Sequence, residues 1–296
     1  MNVLITGGTG FFGKSMLDYR LRHPAWADAA WTILSRSPER FLRENPQFAR
    51  LAGVEFVAGD VRDFDLPGRT FEAVIHAATP AVMTLADDEM TSVVVEGTRH
   101  TLAFAKRCGA RKFMLTSSGA VYGPQSAPVA EDAPCRPVTA YGRGKLVAEQ
   151  MCRDSGLHVL LPRCFAFVGP YLNRDIHFAI GNFIRNCLEG SPIVITGDGT
   201  PLRSYLYADD LVEWLFAILS RGESARPYNV GSGEGLSIRE LALKVRTALG
   251  AANEVRVLGH ADAGASSVYV PVVDRAAREL GLGVKVDLET AIRKSL

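Results

Sequence analysis

Thr6-Gly7-Gly8-Thr9-Gly10-Phe11-Phe12-Gly13 stands between an apolar run, Val3-Leu4-Ile5, and a stretch of helical character. Glycines spaced G-x-x-G-x-x-G at such a junction have separate uses. Gly7 permits a tight turn, Gly10 lets backbone amides approach a pyrophosphate, and Gly13 lets the helix pack on the strand, while the helix N-terminus faces the anion. A glycine pattern alone is an ordinary turn; its place after a first strand makes it a phosphate-binding fingerprint. The same stretch, read from Gly8 to Gly13-Lys14-Ser15, also fits the P-loop pattern G-x-x-x-x-G-K-S, with Lys14 on phosphates and Ser15 on Mg²⁺. That reading needs a metal-holding aspartate at the end of an apolar strand, and Asp60 after Val54-Glu55-Phe56-Val57-Ala58-Gly59 is a poor one.

Working outward, residues 2–6, 31–35, 54–57, 73–76, 112–116 and 158–161 read as strands separated by segments of helical length. The runs Val3-Leu4-Ile5, Ala73-Val74-Ile75 and Phe113-Met114-Leu115 are apolar throughout, as strands covered on both faces are. The pattern predicts an α/β fold, a doubly wound parallel sheet of the Rossmann type. After Gly169-Pro170 come a helix over 177–189, a strand over 193–195 and turn chemistry at 197–201, the entry to a smaller lobe. A helix over 209–220 and the run Tyr228-Asn229-Val230 return to the main sheet, and Ser237-Ile238-Arg239-Glu240 is a capping box. The expected division is a dinucleotide-binding domain, 1–167 with 202–231, and a discontinuous C-terminal substrate lobe, 168–201 with 232–296.

The chain has 296 residues, and at about 150 residues per domain that agrees with two units. Lys+Arg 33 against Asp+Glu 32 leaves a net charge of +1, which gives no basic excess for a nucleic-acid partner. A composition 47% hydrophobic and 22% charged excludes disorder and fibrous repeats. Cys108, Cys135, Cys152, Cys164 and Cys187 have no zinc-ligand spacing, so no metal site is expected, and an odd count favours reduced thiols in the cytoplasm. The N-terminus shows no secretion signal, and the apolar run Val159-Leu160-Leu161-Pro162 stops at Arg163, so no membrane segment is expected.

The end of the second strand should meet the adenosine ribose, where an acid binds the 2′-hydroxyl and an arginine accommodates a 2′-phosphate. Here stand Ser35 and Arg36, with Arg40 one turn beyond a helix start at Ser37-Pro38, which favours NADP(H) over NAD. Asp60, with Val61 beside it, follows the third strand and suits the adenine amino group. Tyr141-Gly142-Arg143-Gly144-Lys145 sets a phenol and an amine one helical turn apart. A tyrosine of pKa about 10 needs a drop of about 3 units, or about 4 kcal/mol, to act as a base near neutrality. An ammonium at about 4 Å, in an effective dielectric of about 20, supplies about that much.

Residues 6–13, Thr116-Ser117-Ser118-Gly119-Ala120-Val121-Tyr122-Gly123 and residues 141–145 together resemble the extended short-chain dehydrogenase/reductase family, the nucleotide-sugar epimerases and dehydratases. The resemblance continues through Pro162-Arg163, Val168-Gly169-Pro170, Asn182-Phe183, Gly197-Asp198-Gly199, Arg203, Tyr207-Ala208-Asp209-Asp210 and Tyr228-Asn229-Val230-Gly231. It implies that Ser118 holds the reacting sugar oxygen, that Tyr141 exchanges its proton and that Lys145 also holds the nicotinamide ribose. Cofactor contacts carried over by position are Gly7, Gly10, Phe11, Phe12, Gly13, Ser35, Arg36, Arg40, Asp60, Val61, Ala77, Ala78, Thr79, Ser117, Tyr141 and Lys145. Asn182 and Arg203 match positions that hold the nucleotide diphosphate. His76 reads as a histidine packed at a strand terminus.

Departures narrow the reaction. Gly119 and Ala120 stand where family dehydratases place an Asp-Glu pair, which disfavours dehydration. Val94 and Ala166 replace two usual asparagines, and the arginine often found before the Asp274 segment is not evident. The expectation is an NADPH-dependent reductase of a 4-keto(-6-deoxy) sugar nucleotide, in deoxysugar or surface-polysaccharide synthesis. The alternatives are a sugar-nucleotide C4 epimerase with tightly bound NAD and a non-catalytic NADP(H)-sensing protein. The family also implies a homodimer formed through residues 87–108 and 139–154.

Overall fold

Val3 and Ile5 pack into one buried cluster and Leu4 between them into another. Side chains alternate across a strand, so burial of all three requires cover on both faces of the sheet. The computed structural model describes residues 1–23, 28–79, 85–175, 178–260 and 267–296. The chain runs β1 (Asn2–Thr6), α1 (Phe11–Arg22), β2 (Ala30–Ser35), α2 (Pro38–Glu44), β3 (Val54–Ala58) and β4 (Ala73–His76). There follow α3 (Asp87–Thr91), a π turn (Ser92–Glu96), α4 (Gly97–Arg107), β5 (Lys112–Leu115), β6 (Ser117–Ser118), α5 (Ala140–Arg153) and β7 (His158–Cys164). The remainder is β8 (Phe167–Val168), α6 (Ala179–Glu189), β9 (Ile193–Ile195), β10 (Leu202–Arg203), β11 (Leu206–Tyr207), α7 (Ala208–Arg221) and β12 (Pro227–Val230), then β13 (Leu236–Ser237), α8 (Ile238–Ala248), β14 (Val255–Val257), β15 (Val268–Tyr269), α9 (Asp274–Leu280) and α10 (Leu288–Arg293).

Among the described residues, eight strands form the main sheet in the order β12-β7-β5-β4-β1-β2-β3, with β6 also beside β7. Every pairing in it is parallel. Strand order reverses at β1: β2 and β3 lie to one side and β4, β5 and β7 to the other. The crevice between the carboxyl ends of β1 and β4 is therefore the switch point at which such sheets take ligands. One face is covered by Met16 and Leu17 of α1, Trp214 and Ile218 of α7 and Leu280 of α9, the other by Leu102 and Phe104 of α4 and Ala148 and Cys152 of α5. A third buried cluster joins Ile180 and Phe183 of α6, Ile193 and Ile195 of β9, Leu241 and Val245 of α8 and Ile292 of α10.

The doubly wound parallel sheet expected from the sequence is the observed fold. Tyr228-Asn229-Val230 returns to it as β12 beside β7, and the Ser237–Glu240 capping box is formed. The helix expected over 177–189 starts at Ala179; His177 lies outside the described residues. The fifth strand stops at Leu115, one residue early, while β7 runs past the expected Leu161 to Cys164. Pro162 does not end β7 because it falls between the stretch paired with β5 and the stretch paired with β6, where that side of the ladder is interrupted anyway. No helix among the described residues is long and apolar enough to cross a membrane.

Candidate active site

The glycine turn closes through a hydrogen bond from Gly10 N to the Gly7 carbonyl, 3.0 Å. Gly7 has φ +73°, and a Cβ there would lie 2.4 Å from the Ala77 carbonyl carbon, so the turn rests directly on the end of β4. A Cβ on Gly13 would lie 2.1 Å from Gly8 Cα, which fixes how closely α1 approaches the turn. Gly10 differs: its φ of −84° suits any residue, and a Cβ would meet only the Gly7 carbonyl oxygen at 3.4 Å. The protein leaves that space open at the uncapped N-terminus of α1, where a pyrophosphate would use it. The residues present thus fit a dinucleotide.

The P-loop reading fails on geometry. The Ser15 hydroxyl donates to the Phe11 carbonyl (2.7 Å) inside its own helix, the Lys14 ammonium lies 5.9 Å from the Phe41 ring centroid, and Asp60 is paired with Arg62 at 3.0 Å. Beyond the turn, Phe11 and Phe12 pack with Phe167 at centroid distances of 6.4 and 5.3 Å. The buried Ser35 hydroxyl accepts from Ser37 N, 3.2 Å, and is spent on the β2–α2 turn. Arg36 is exposed and makes no ion pair or hydrogen bond with the described residues. The Arg62 hydrogen bonds hold the Asp60 carboxyl below its usual range, and the Arg36 charge adds to this. Arg40 is exposed on α2, 3.9 Å from Glu44. Val61 packs under the start of α4, where a Cβ on Gly97 would meet its Cγ2 at 2.9 Å. Ala77 N donates to the Thr6 carbonyl, 3.1 Å, with Ala78 and Thr79 continuing from the end of β4. His76 is a core histidine: its Nδ1 is 2.7 Å from Thr6 Oγ1, and burial pushes the imidazole down to about 3.

Thr139 caps α5 by accepting from Gly142 N at 3.0 Å, which sets Tyr141 in the first turn and Lys145 in the next. Glycine at 142 and 144 lets α5 approach closely: Cβ atoms there would lie 2.7 Å from the Ala120 carbonyl oxygen and 3.2 Å from Val94 Cγ1. Lys145 Nζ donates to Thr79 Oγ1 and to the Thr116 carbonyl, 2.8 Å each, and so ties α5 to the ends of β4 and β5. Burial pushes this ammonium down to about 8. The expected lowering of Tyr141 is not found: burial pushes its hydroxyl up to about 12, with Ser118 pulling more weakly the other way. Desolvation of the buried phenol is the larger influence, and Lys145 Nζ, 5.8 Å from the Tyr141 ring centroid, is held by Thr79 and Thr116.

Ser118 Oγ accepts from Ala120 N, 3.1 Å, leaving its proton free for another acceptor. It lies 3.4 Å from the hydroxyl of Tyr269, which is brought in by β15. Sequence reading singled out no residue of this segment, and Tyr269 reaches the site through β15. Ser117 points its hydroxyl to the opposite side, into Glu149 at 2.6 Å, so only its backbone can face the crevice. Gly119 is covered by Phe165, whose ring carbon would lie 2.7 Å from a Cβ. In the third cluster's region, Asn182 Oδ1 is buried with no hydrogen-bond partner. Arg203 Nη1 donates to the carbonyls of Leu202 and Ser267, 2.8 and 3.0 Å, and its guanidinium stands 6.0 Å from the Tyr269 ring centroid.

A family model, NAD dependent epimerase/dehydratase, matches residues 3–231. The chain belongs to the NAD dependent epimerase/dehydratase family. UDP-glucuronic acid decarboxylase 1 of Xenopus tropicalis is 28% identical over 99% of this chain and 71% of its own length, and UDP-glucuronic acid decarboxylase 3 of Arabidopsis thaliana is 28% identical over 99% and 87%. A UDP-glucuronic acid 4-epimerase from Bacillus cereus, solved with UDP-glucuronic acid and NAD, superposes with a TM-score of 0.85 at 23% identity, covering 100% of this chain and 98% of that one. A dTDP-glucose 4,6-dehydratase from Streptomyces venezuelae, with NAD bound, gives 0.83 at 26% identity over 99% and 96%. This epimerase/dehydratase family member is an enzyme, as its relatives are. A cavity of about 1060 Å³, lined by Met1, Trp31, Lys112 and Trp214 among others, opens at the amino ends of the strands. It lies at the opposite ends of the strands from the glycine turn, away from the carboxyl ends at which such sheets take ligands.

Proposed function

We propose that the enzyme reduces a 4-keto sugar carried on a nucleoside diphosphate, drawing on NADPH. The observation that carries this reading is the grouping of Ser118, Tyr141 and Lys145 around the ends of β4 and β5, where the glycine turn rests on Ala77. Gly7, Gly10 and Gly13 with the N-terminus of α1 would hold the pyrophosphate, Lys145 and Thr79 the nicotinamide ribose, Asp60 the adenine side and Arg36 a 2′-phosphate. When bound, the nicotinamide supplies or accepts hydride at the sugar carbon.

Ser118, whose Oγ already accepts from Ala120 N, would donate to the sugar oxygen and fix the carbonyl beside Tyr141. A phenol at about 12 is protonated throughout the neutral range, which equips Tyr141 to give its proton to the alkoxide that forms as a ketone is reduced. Lys145, charged below about 8 and fastened to Thr79 and the Thr116 carbonyl, would hold the nicotinamide ribose in place. The Phe165 ring over Gly119 occupies the space in which a dehydratase acid would stand, and that supports redox chemistry without loss of water. Asn182 Oδ1 and the guanidinium of Arg203 are candidates for the nucleotide end, Arg203 only through the nitrogen positions that Leu202 and Ser267 leave free. A second reading, oxidation and return of hydride on retained NAD, is favoured by the UDP-glucuronic acid decarboxylases among the relatives.

Cofactor consumption separates the two. With a UDP- or dTDP-linked 4-keto-6-deoxyhexose, one NADPH should be consumed per product, and Arg36→Ala should weaken NADPH binding while sparing NADH. Tyr141→Phe should retain dinucleotide and lose about 10³-fold in kcat, the size of an acid–base contribution. Conversion of UDP-glucose or UDP-glucuronic acid with no added NADPH would overturn the reductive reading.

A further inference from the structure

We propose that Thr79 is a positioning residue for the reaction, its hydroxyl anchoring the Lys145 ammonium so that one N–H stays free for the ribose of the dinucleotide. This deepens the reading above and rests on it, since it takes Lys145 to hold that ribose. An ammonium has three N–H donors. Two are engaged at 2.8 Å each, by Thr79 Oγ1 and by the Thr116 carbonyl, which leaves the third among the described residues for a ligand. The two acceptors differ in kind. The Thr116 carbonyl is backbone just past β5, where Thr116 N is itself bonded to the His76 carbonyl at 3.1 Å, so no change of side chain removes it. Thr79 lies just past β4, half-buried, and its hydroxyl is the one of the two contacts that a side chain supplies.

Lys145 is itself buried, so solvent has little access to replace a lost partner. A hydrogen bond to the charged form favours that form, and Thr79 thereby opposes the burial that pushes the ammonium down to about 8. The surroundings make this readable. The ammonium faces Tyr141, Glu149 and Cys152 from α5, His76 from β4 and Cys164 from β7. Burial holds the phenol and both thiols up at about 12 and His76 down at about 3, while Glu149 is ion-paired with Arg163. None of these changes charge between about pH 6 and about pH 10, so of this group Lys145 alone titrates there.

The test reads the ammonium directly, by carbon NMR titration of the lysine Cε signals in the dinucleotide-free protein, the Lys145 signal being the one that Lys145→Met removes. Thr79→Val keeps the shape and removes the acceptor. It should titrate about one pH unit below the wild type, the scale of a hydrogen bond to a charged group, whereas Thr79→Ser should titrate with the wild type. Thr79→Ala, which leaves room for a water, should fall between them and carries the test if the valine variant fails to fold. In fluorescence titrations, the pH above which NADPH affinity falls should move with the ammonium of each variant. Titration of Thr79→Val and Thr79→Ala at the wild-type value, or an NADPH affinity that does not follow the ammonium, overturns the assignment while the reductive reading stands. A wild type that binds no dinucleotide at any pH overturns the functional reading, and with it the use assigned to Thr79.

Discussion

Lys145 illustrates what a single buried charge does to the pH response of the whole protein. Its side chain is 2% exposed, and burial brings its pKa from 10.5 to about 8 in the native state. Between those values the unfolded chain holds a proton that the native protein has released, so the Lys145 contribution to stability rises with pH across that window. The shift corresponds to about 3 kcal/mol. Urea titrations of wild type and Lys145→Met at pH 7 and pH 10.5 should show the difference moving toward the wild type by about that amount. A difference that stays flat would mean the amine is solvated in the native state. Ser117 and Ser118 show the same dependence on surroundings: adjacent residues with identical side chains, one bound to Glu149 and the other facing Tyr269.

At the scale of elements, the glycine turn separates two reasons for having no side chain. Gly13→Ala drives a Cβ into Gly8, whereas Gly10→Ala meets only one carbonyl at contact distance. Gly13→Ala should therefore lower the melting temperature by several degrees, a loss of 1–3 kcal/mol typical of overpacking. Gly10→Ala should leave the melting temperature within about one degree and weaken dinucleotide binding at least tenfold, measured by fluorescence titration. A Gly10→Ala protein that binds normally would remove the pyrophosphate from this turn. The turn and its strand were legible because their pattern is local, and so were the Ser237 cap, whose hydrogen bonds span three residues, and the main-sheet strands other than the two-residue β6. The approach of β15 was not, because Tyr269 and Ser118 are 151 residues apart and no local pattern encodes their meeting. Arg203 was matched by position but not by partner: which carbonyls it fastens to depends on the pairing of β10 with β15.

At the scale of the molecule, a buried polar network underlies the site and joins the sheet to its covering segments. Arg163 of β7 grips Glu149 of α5 through two bonds of 2.9 and 2.8 Å and donates to the Glu131 carbonyl. Burial pushes the Glu149 carboxyl up, but the Arg163 bonds and charge outweigh it and hold the group below its usual range. The Tyr122 hydroxyl donates to Asn229, whose amide reaches the carbonyls of Val129 and Val272, and Arg275 stands 3.8 Å from Glu131. Arg163→Met removes two of the bonds to a carboxylate that is wholly inaccessible to solvent and leaves it only Arg153, at 3.2 Å, and the Ser117 hydroxyl. The cost should therefore fall somewhat below the about 3–5 kcal/mol of a fully unpaired buried charge. In urea unfolding, the double variant Arg163→Met/Glu149→Leu should recover most of that loss. A single variant as stable as the wild type would show that the pair carries no weight.

The long span between Ser118 and Tyr269 also orders events in time. Synthesis delivers the chain from its amino end. A nascent chain ending short of β15 already carries β1, α1, β4 and the start of α5, and with them the parts of a dinucleotide cradle. It lacks the phenol opposite Ser118 and the strand that braces Arg203. On the function proposed above, the dinucleotide side of the site can thus assemble while translation continues, and the sugar side would be completed only after the closing segment has been released.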